Sequence, residues 1–165
     1  GITLSTPVVL ERQTIKYPEE IKDSVQFVSF AYAGKDTPVD VFVTSSKYAS
    51  KTKQNENKKE VPIDVLKFAE LVLDRFEKEG AKNIISRNEQ FITPNGQEGI
   101  KTFGTADFVT NNVLSKGAYI VLGFSTPNLL QQVVLTWKED DVYADQIMER
   151  ILGSIELITL TEEQK

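Results

Sequence analysis

The sequence predicts a single α+β domain with an antiparallel sheet, in the order strand, hairpin, helix, four-stranded meander, helix. Two observations carry this prediction: β-branched and aromatic runs separated by turn residues, which are typical of strands in hairpins, and two amphipathic segments with helical spacing. A chain of 165 residues fits one domain, and no internal repeat divides it. We expect residues 1–13 to form an extended lead-in, 14–160 the domain, and 161–165 a frayed tail.

The first three predicted strands precede the first helix. Residues 14–18 (Thr-Ile-Lys-Tyr-Pro) indicate a short strand that ends at the proline. Residues 25–32 are rich in β-branched and aromatic side chains, and valines alternate with other residues from Val39 to Val43. Because turn residues fill 33–38 between these two runs, we predict a β-hairpin.

Residues 45–61 predict a mobile polar loop with an excess of positive charge. Five lysines in it face only two glutamates, Glu56 and Glu60. The ordinary interpretation is a solvated connection, since loops lie at the surface. The sharper hypothesis is a basic contact surface for an acidic protein partner. Its candidate contact residues are Lys47, Lys51, Lys53, Lys58 and Lys59.

The first helix is the best defined element of the sequence. Pro62 suits its first turn, Asp64 complements the positive end of the helix dipole, and Gly80 provides the C-terminal stop. Apolar side chains recur between these residues at three- and four-residue spacing, which predicts a helix that packs one face on the sheet. The apolar face consists of Val65, Leu66, Ala69, Val72, Leu73 and Phe76.

Four strand-like runs follow the first helix, at 84–92, 98–108, 118–125 and 129–137. Asn95-Gly96 between the first two runs is a strong hairpin signal, and residues 111–117 are expected to form the next loop. Gly99 and Gly104 indicate bulges or close backbone approach inside the second run. Together the four runs predict an antiparallel meander.

A second helix is predicted over 144–157, with Asp140 and Asp141 as its caps. The same acidic cluster, with Glu139 and Asp145, could bind a hard cation such as calcium through oxygen ligands. Capping is the preferred interpretation, because the cluster lacks the spacing of a calcium-binding loop. We therefore predict no metal site. The apolar face of this helix consists of Ala144, Ile147, Met148, Ile151, Leu152 and Ile155.

The composition excludes several classes of chemistry. The chain has no cysteine and no histidine, which removes disulfides, thiolate nucleophiles, zinc fingers and the Ser-His-Asp arrangement. We therefore predict no catalytic residue, no cofactor and no enzyme. The net charge of −5 opposes binding to nucleic acid, which depends on lysine and arginine at the phosphates. No apolar run reaches the roughly 18–20 residues of a membrane span.

Three aromatic residues are candidates for a ligand pocket between sheet and helix: Trp137, Tyr119 and Phe103. Core packing is their more ordinary role, because such side chains bury much apolar area. A pocket there would favour an alternative function, a small-molecule binder or a carboxylate-based hydrolase whose acid–base pair comes from Asp and Glu.

Four segments carry a family resemblance: Ile15-Lys16-Tyr17-Pro18, the helix at 62–80, Asn95-Gly96-Gln97-Glu98-Gly99, and the helix at 144–157. Their order resembles the PsbP-like superfamily, which includes extrinsic photosystem II proteins, Mog-type Ran-release factors and many bacterial exported proteins. The resemblance covers about residues 14–157 and implies an antiparallel sheet of about six strands sandwiched between helices, in the order β-ββ-α-ββββ-α. It implies no reaction, because members act as assembly, stabilising or binding factors.

The leading hypothesis is a non-enzymatic binding or assembly module with a protein partner. The start at Gly1, without a methionine, indicates a trimmed N-terminus. That start is compatible with a removed signal peptide or lipid-anchored leader, so the expected location is the periplasm or cell envelope of a bacterium. A cytosolic regulator of the Mog type is a third hypothesis.

Overall fold

The computed structural model describes residues 2–7, 9–14, 19, 25–34, 38–48 and 62–158. Several predictions fall on other residues and lie outside the described part of the chain. They are residues 15–18 of the strand predicted over 14–18, residues 49–61 of the predicted loop with four of the five candidate lysines, and the tail at 161–165.

The main sheet is antiparallel and follows the order β2-β3-β4-β8-β7-β6-β5. Its strands are β2 (Glu11–Arg12), β3 (Val25–Gly34), β4 (Val39–Tyr48), β5 (Lys82–Ile92), β6 (Glu98–Thr110), β7 (Val113–Ser125) and β8 (Leu129–Lys138). A small second sheet pairs β1 (Ile2–Thr3) with β9 (Glu156–Leu157). Helix α1 (Val65–Lys78) connects β4 to β5, and helix α2 (Ala144–Leu152) follows β8. The predicted α+β class with an antiparallel sheet is confirmed, while β1 and β2 lie in the segment expected to be only an extended lead-in.

Strand alternation divides the core into two clusters, one on each face of the sheet. On the α1 face, Phe76 of the helix packs in one cluster with Val121. On the α2 face, Ile151 of the helix packs in the other cluster with Leu122 and Val133. Because Val121 and Leu122 are neighbours on β7, and successive side chains of a strand point to opposite faces, the two helices cover opposite faces. This is why the middle of β7 is continuously apolar.

The ends of α1 agree with the prediction at the C-terminus and differ from it at the N-terminus. Asp64 is the N-cap, and its carboxylate accepts hydrogen bonds from two backbone N–H groups of the first turn at 3.1 and 3.3 Å. Pro62 therefore precedes the helix rather than occupying its first turn. Gly80 adopts a φ of 101°, and the N–H of Ala81 donates to the Phe76 carbonyl at 2.9 Å, which is a Schellman motif.

Helix α2 is shorter than predicted, because it ends at Leu152 with Gly153 as its C-cap. The chain then forms β9, which pairs with the N-terminal β1. The predicted cap is also wrong in detail. The N-cap is Tyr143, which makes no side-chain capping bond, and the Asp141 carboxylate instead accepts from the Tyr143 N–H at 2.9 Å, before the helix begins.

Strand β4 continues into the segment that was predicted to be a polar loop. Ser45, Ser46 and Tyr48 are buried, and Lys47 lies opposite Leu129 of β8. The first four residues of the predicted loop are therefore part of the sheet. Pairing with β8 stabilises them as a strand although their side chains are polar, since strand preference depends strongly on tertiary context.

The loop predicted at 111–117 is wrong, because the connection consists of Asn111-Asn112 alone. These residues have φ values of 51° and 61°, which a two-residue hairpin turn of the primed type requires. Thr110 pairs with Val113 across the turn, and the register continues along both strands. The result is a long β6–β7 hairpin.

The close backbone approach predicted at Gly99 and Gly104 is confirmed. A Cβ atom on Gly104 would lie 1.8 Å from the Ile85 carbonyl oxygen, and one on Gly99 would lie 2.5 Å from the Phe124 ring. The register shift between Lys82 and Ile85 marks an irregularity in β5 opposite residues 105–107, and the Ile85 carbonyl at its end occupies the space that a Gly104 side chain would need. The bulge is thus in the facing strand, and the glycine provides the space for it.

Candidate functional site

A cleft of ≈ 380 Å³ opens where the β6–β7 hairpin extends past the rest of the sheet. Its volume falls at the lower end of the range of small ligand sites, about 300–1,000 Å³. We call it the hairpin cleft and define it by its lining residues: Pro38, Asp40, Phe108, Thr110, Ser115, Lys116, Gly117, Thr136, Trp137, Lys138 and Asp141.

The cleft exists because both neighbours of the hairpin stop before its turn. Strand β8 ends at Lys138, opposite Gly117, and strand β5 begins at Lys82, opposite Asp107. Among the described residues, no strand pairs with either outer side of residues 108–115. We call this stretch the hairpin arm.

Phe108 and Gly117 shape the floor of the cleft. The Phe108 ring meets Phe76 of α1 edge-on, with ring centres 5.3 Å apart. A Cβ atom on Gly117 would lie 2.7 Å from the Phe108 ring, so the absence of a side chain allows the ring to lie against β7. Phe108 therefore connects the cleft to the core beneath α1.

The rim of the cleft carries both signs of charge. The Lys116 amine lies 3.1 Å from the Glu139 carboxylate, and the Glu139 N–H donates to the Lys116 carbonyl at 3.3 Å. The Asp141 carboxylate accepts a hydrogen bond from the Tyr143 N–H. Lys138 lines the same cleft and makes no ion pair with any residue that the structure describes. An anionic group of a ligand could therefore pair with Lys138.

The hairpin arm exposes apolar side chains beside the cleft. Val113 and Leu114 are 63% and 50% exposed, and Val109 is exposed as well. In the turn after β8, which meets the base of the arm, Val142 and Tyr143 are also exposed. Single exposed apolar residues are common, but a group of them at one end of a domain is typical of an interaction surface.

Trp137 lines the hairpin cleft, but the structure does not bring the other two predicted pocket residues to it. Tyr119 is buried in the core on the α1 face, where its hydroxyl donates to the Ile85 carbonyl at 2.8 Å. Phe103 packs against the core on the α2 face. The three aromatic residues therefore do not surround one cavity.

Burial raises the pKa of the Tyr119 phenol above its ordinary value of 10.0, and a hydrogen bond with Ser86 opposes this in part. The neutral hydroxyl is needed to donate to the Ile85 carbonyl. Tyr119 thus satisfies a backbone acceptor at the irregular part of β5.

Of the five lysines proposed as partner contacts, the structure describes only Lys47, which is exposed on β4. In the described part of the chain, no group of three or more potential metal ligands is placed to hold an ion. Within the acidic cluster, Glu139 pairs with Lys116 and Asp141 completes a turn. No helix in the described ranges is both long and apolar enough to cross a membrane.

Sequence reasoning missed the cleft because it assigned Lys116 and Gly117 to a loop. A signal for the hairpin was present, since Asn111-Asn112 stands between two β-branched runs and asparagine tolerates the positive φ values of a two-residue turn. Periodicity could not show that Val113 and Leu114 are exposed, because that depends on where the neighbouring strands end.

Neither a protein-family model nor a curated protein matches this chain.

Proposed function

We propose that this chain is a non-enzymatic binding module that receives a segment of a protein partner at the hairpin cleft. The observation that carries the proposal is the exposure of Val113 and Leu114 on opposite faces of the hairpin arm, beside a cleft of ≈ 380 Å³. A partner segment that enters the cleft would continue around the end of the arm to cover both side chains. Covering such side chains with a partner is favourable by about 25 cal/mol for each Å² of apolar surface. No described strand pairs with the outer sides of the arm, and Val113 and Leu114 are exposed on it, so a partner would provide that burial.

The chemistry of the cleft specifies the kind of segment. Phe108 offers aromatic surface, and Lys138 offers an amine with no ion-pair partner among the described residues. The hydroxyl-bearing residues Thr110, Ser115 and Thr136 also line the cleft. A segment that presents an apolar side chain next to a carboxylate would match both the apolar and the cationic part of this surface.

The proposed setting is a bacterial cell envelope. The element order after β2 is hairpin, helix, four-stranded meander, helix, and this supports the PsbP-like resemblance, whose bacterial members include many exported proteins. Fractionation of the native protein, with the intact mass of its mature form, tests the setting. An envelope location with a processed start is the expected result, whereas a cytosolic, unprocessed protein would instead favour the Mog-like regulator.

The binding proposal is tested by quantitative pull-down from the native envelope fraction with wild-type protein and arm variants. Val113→Ser and Leu114→Ser should each reduce recovery of the same partner, by about tenfold if the side chain is a binding hot spot. Lys138→Glu should weaken the same partner if it presents a carboxylate. Val9→Ser is the matched control, because Val9 is another exposed valine, outside the arm. A partner that binds all four variants equally would contradict the proposal, as would the recovery of no specific partner.

A second candidate, small-molecule binding or carboxylate-based hydrolysis at the same cleft, is favoured by the cleft volume and by the two carboxylates that line it, Asp40 and Asp141. Such an enzyme needs two carboxylates with pKa values that differ, one acid and one base. A screen of small ligands by NMR, with ester and glycoside substrates assayed in parallel, tests this candidate. Shifts confined to the cleft, or turnover that Asp40→Asn abolishes, would favour it over the protein-binding module.

A further inference from the structure

Strand β5 forms one edge of the main sheet, and none of the described residues forms a strand on its outer side. It is eleven residues long, and all its side chains except Ile84 and Phe91 are exposed. The opposite edge is the two-residue β2. A long edge strand with unpaired backbone groups is a template for a further strand.

Pairing with β6 determines which backbone groups of β5 point outward. The Thr93 N–H donates to the Gln97 carbonyl at 2.9 Å, and hydrogen-bonded pairs alternate with non-hydrogen-bonded pairs along an antiparallel ladder. The register is continuous from Ile92 back to Ile85. It follows that the odd-numbered residues 87, 89 and 91 bond to β6, whereas the even-numbered residues 86, 88, 90 and 92 direct their N–H and C=O groups to the open edge.

We propose that two copies of this chain pair antiparallel through β5, with Asn88 opposite Asn88 of the second copy, to form one continuous sheet. A symmetric pair of this kind is an isologous contact, in which one residue must lie opposite its own copy. Asn88 directs its backbone groups outward, so the two copies of Asn88 would exchange two backbone hydrogen bonds at the two-fold axis.

The charges along β5, its irregular start and the turn after it favour Asn88 as the centre of the paired strands. Centring the pair on Arg87 or on Glu89 would place like charges directly opposite each other, which is destabilising. Centring it on Ser86 would extend the pairing into the irregular start of β5. Centring it on Gln90 would extend it into the turn that follows the strand. The register through Asn88 avoids all three obstacles.

In this register, Arg87 lies opposite Glu89 of the second copy, and symmetry repeats the pair. Opposite charges directly across a ladder are favourable. Glu89 already pairs with Lys101 of β6, so it would lie between two cations. Ile85, which is 61% exposed, lies opposite Phe91 of the second copy. The pairing therefore buries an exposed apolar side chain and places no like charges opposite each other.

Single-cysteine variants report this register directly, because the chain has no cysteine of its own. In Asn88→Cys the two Cα atoms would lie about 5.5 Å apart across a hydrogen-bonded pair, which is within disulfide range. In Gln90→Cys, the matched control on the same face of the same strand, they would lie about 14 Å apart. Under mild oxidation we expect the disulfide-linked dimer to form at least about tenfold faster for Asn88→Cys than for Gln90→Cys.

Charge reversal gives a second test that needs no oxidation. Arg87→Glu should place glutamates opposite each other and weaken self-association about tenfold in sedimentation velocity. Glu89→Arg should do the same with arginines. An equimolar mixture of these two variants should restore association, because every glutamate at positions 87 and 89 of one variant then lies opposite an arginine of the other. Arg12→Glu, at the opposite edge of the sheet, is the control and should leave association unchanged.

Three outcomes would overturn the proposal. They are a monomer at every concentration, equal cross-linking of the two cysteine variants, and charge variants that do not recover on mixing. Amide hydrogen exchange then identifies the alternative occupant: protection of residues 86–90 that is independent of concentration would show that this chain covers its own edge. None of these tests depends on the hairpin cleft, so the dimer and the proposed function can fail separately.

Discussion

Strand β7 passes through two different environments, and the contrast is clearest at two leucines. Leu122 is fully buried in the middle of the sheet, on the α2 face, whereas Leu114 on the hairpin arm is 50% exposed. The two residues are eight positions apart, so strand alternation places them on the same face. Residue type and strand are identical, and only the surroundings differ.

The difference shows that an apolar residue in a strand is not by itself a core residue. Leu122 is flanked by β6 and β8 and covered by the core on the α2 face. Leu114 pairs with Val109 of β6, but β8 ends before reaching it. The exposed apolar side chains of the arm therefore contribute little to folding, and the proposed function attributes them to binding. Substitutions in the two regions test this assignment.

Leu122→Ala should have the largest effect. The side chain is fully buried, and such truncations lose both the transfer free energy and the packing around a new cavity, about 3–4 kcal/mol. Urea unfolding followed by circular dichroism measures the change. A loss below about 1 kcal/mol would mean that the middle of the sheet is not the tightly packed region that its burial indicates.

Gly104→Ala should lower the free energy of unfolding by about 2–3 kcal/mol. The new Cβ atom would lie 1.8 Å from the Ile85 carbonyl oxygen, and a backbone atom cannot rotate away as a side chain can. Gly96→Ala is an informative control, because that site has a positive φ but no atom near the added Cβ. Gly96→Ala should lower the free energy of unfolding by about 1 kcal/mol, from the strained turn alone. Equal losses at the two sites would contradict the steric account of Gly104.

Tyr119→Phe should cost about 1 kcal/mol at neutral pH, because the Ile85 carbonyl loses its hydrogen-bond donor. The pKa of Tyr119 is raised in the folded state, so the folded protein holds the phenolic proton while the unfolded chain releases it. The stabilisation of the folded state that comes from the raised pKa of Tyr119 is fully present below pH 10.0 and is lost as the pH rises above that value. The advantage of wild type over Tyr119→Phe should therefore shrink in urea unfolding above pH 10. An advantage that grows with pH would contradict this account.

Leu114→Ala should have the smallest effect on stability, within about 0.5 kcal/mol of wild type. The same substitution at Leu122 is its matched comparison, measured in the same urea titration. If Leu114→Ala and Leu122→Ala lower the free energy of unfolding equally, the arm belongs to the core and the proposed binding role loses its support. If Leu114→Ala is neutral for stability but reduces partner recovery, the contrast between the two regions becomes a functional one.

Local patterns predicted several elements well. Helix α1 was predictable because its apolar spacing and its glycine stop act within a few residues of one another. The Asn95-Gly96 turn was also predictable, and Gly96 does adopt a φ of 81°. The end of α2 was not, because residues 156–157 pair with residues 2–3. A partner so distant in the chain leaves no periodic signal.

The sequence by itself determined the α+β class, the two amphipathic helices and the absence of cysteine and histidine chemistry, because composition and short-range periodicity carry that information. Only the tertiary structure decided that Ser45 and Ser46 are buried in β4, that Tyr119 and Phe103 face opposite sides of the sheet, and that β5 is an edge. These features depend on which strands become neighbours and where each neighbour ends. Burial is a property of the assembled sheet, so the hairpin cleft and the open edge became recognisable only from the pairing register.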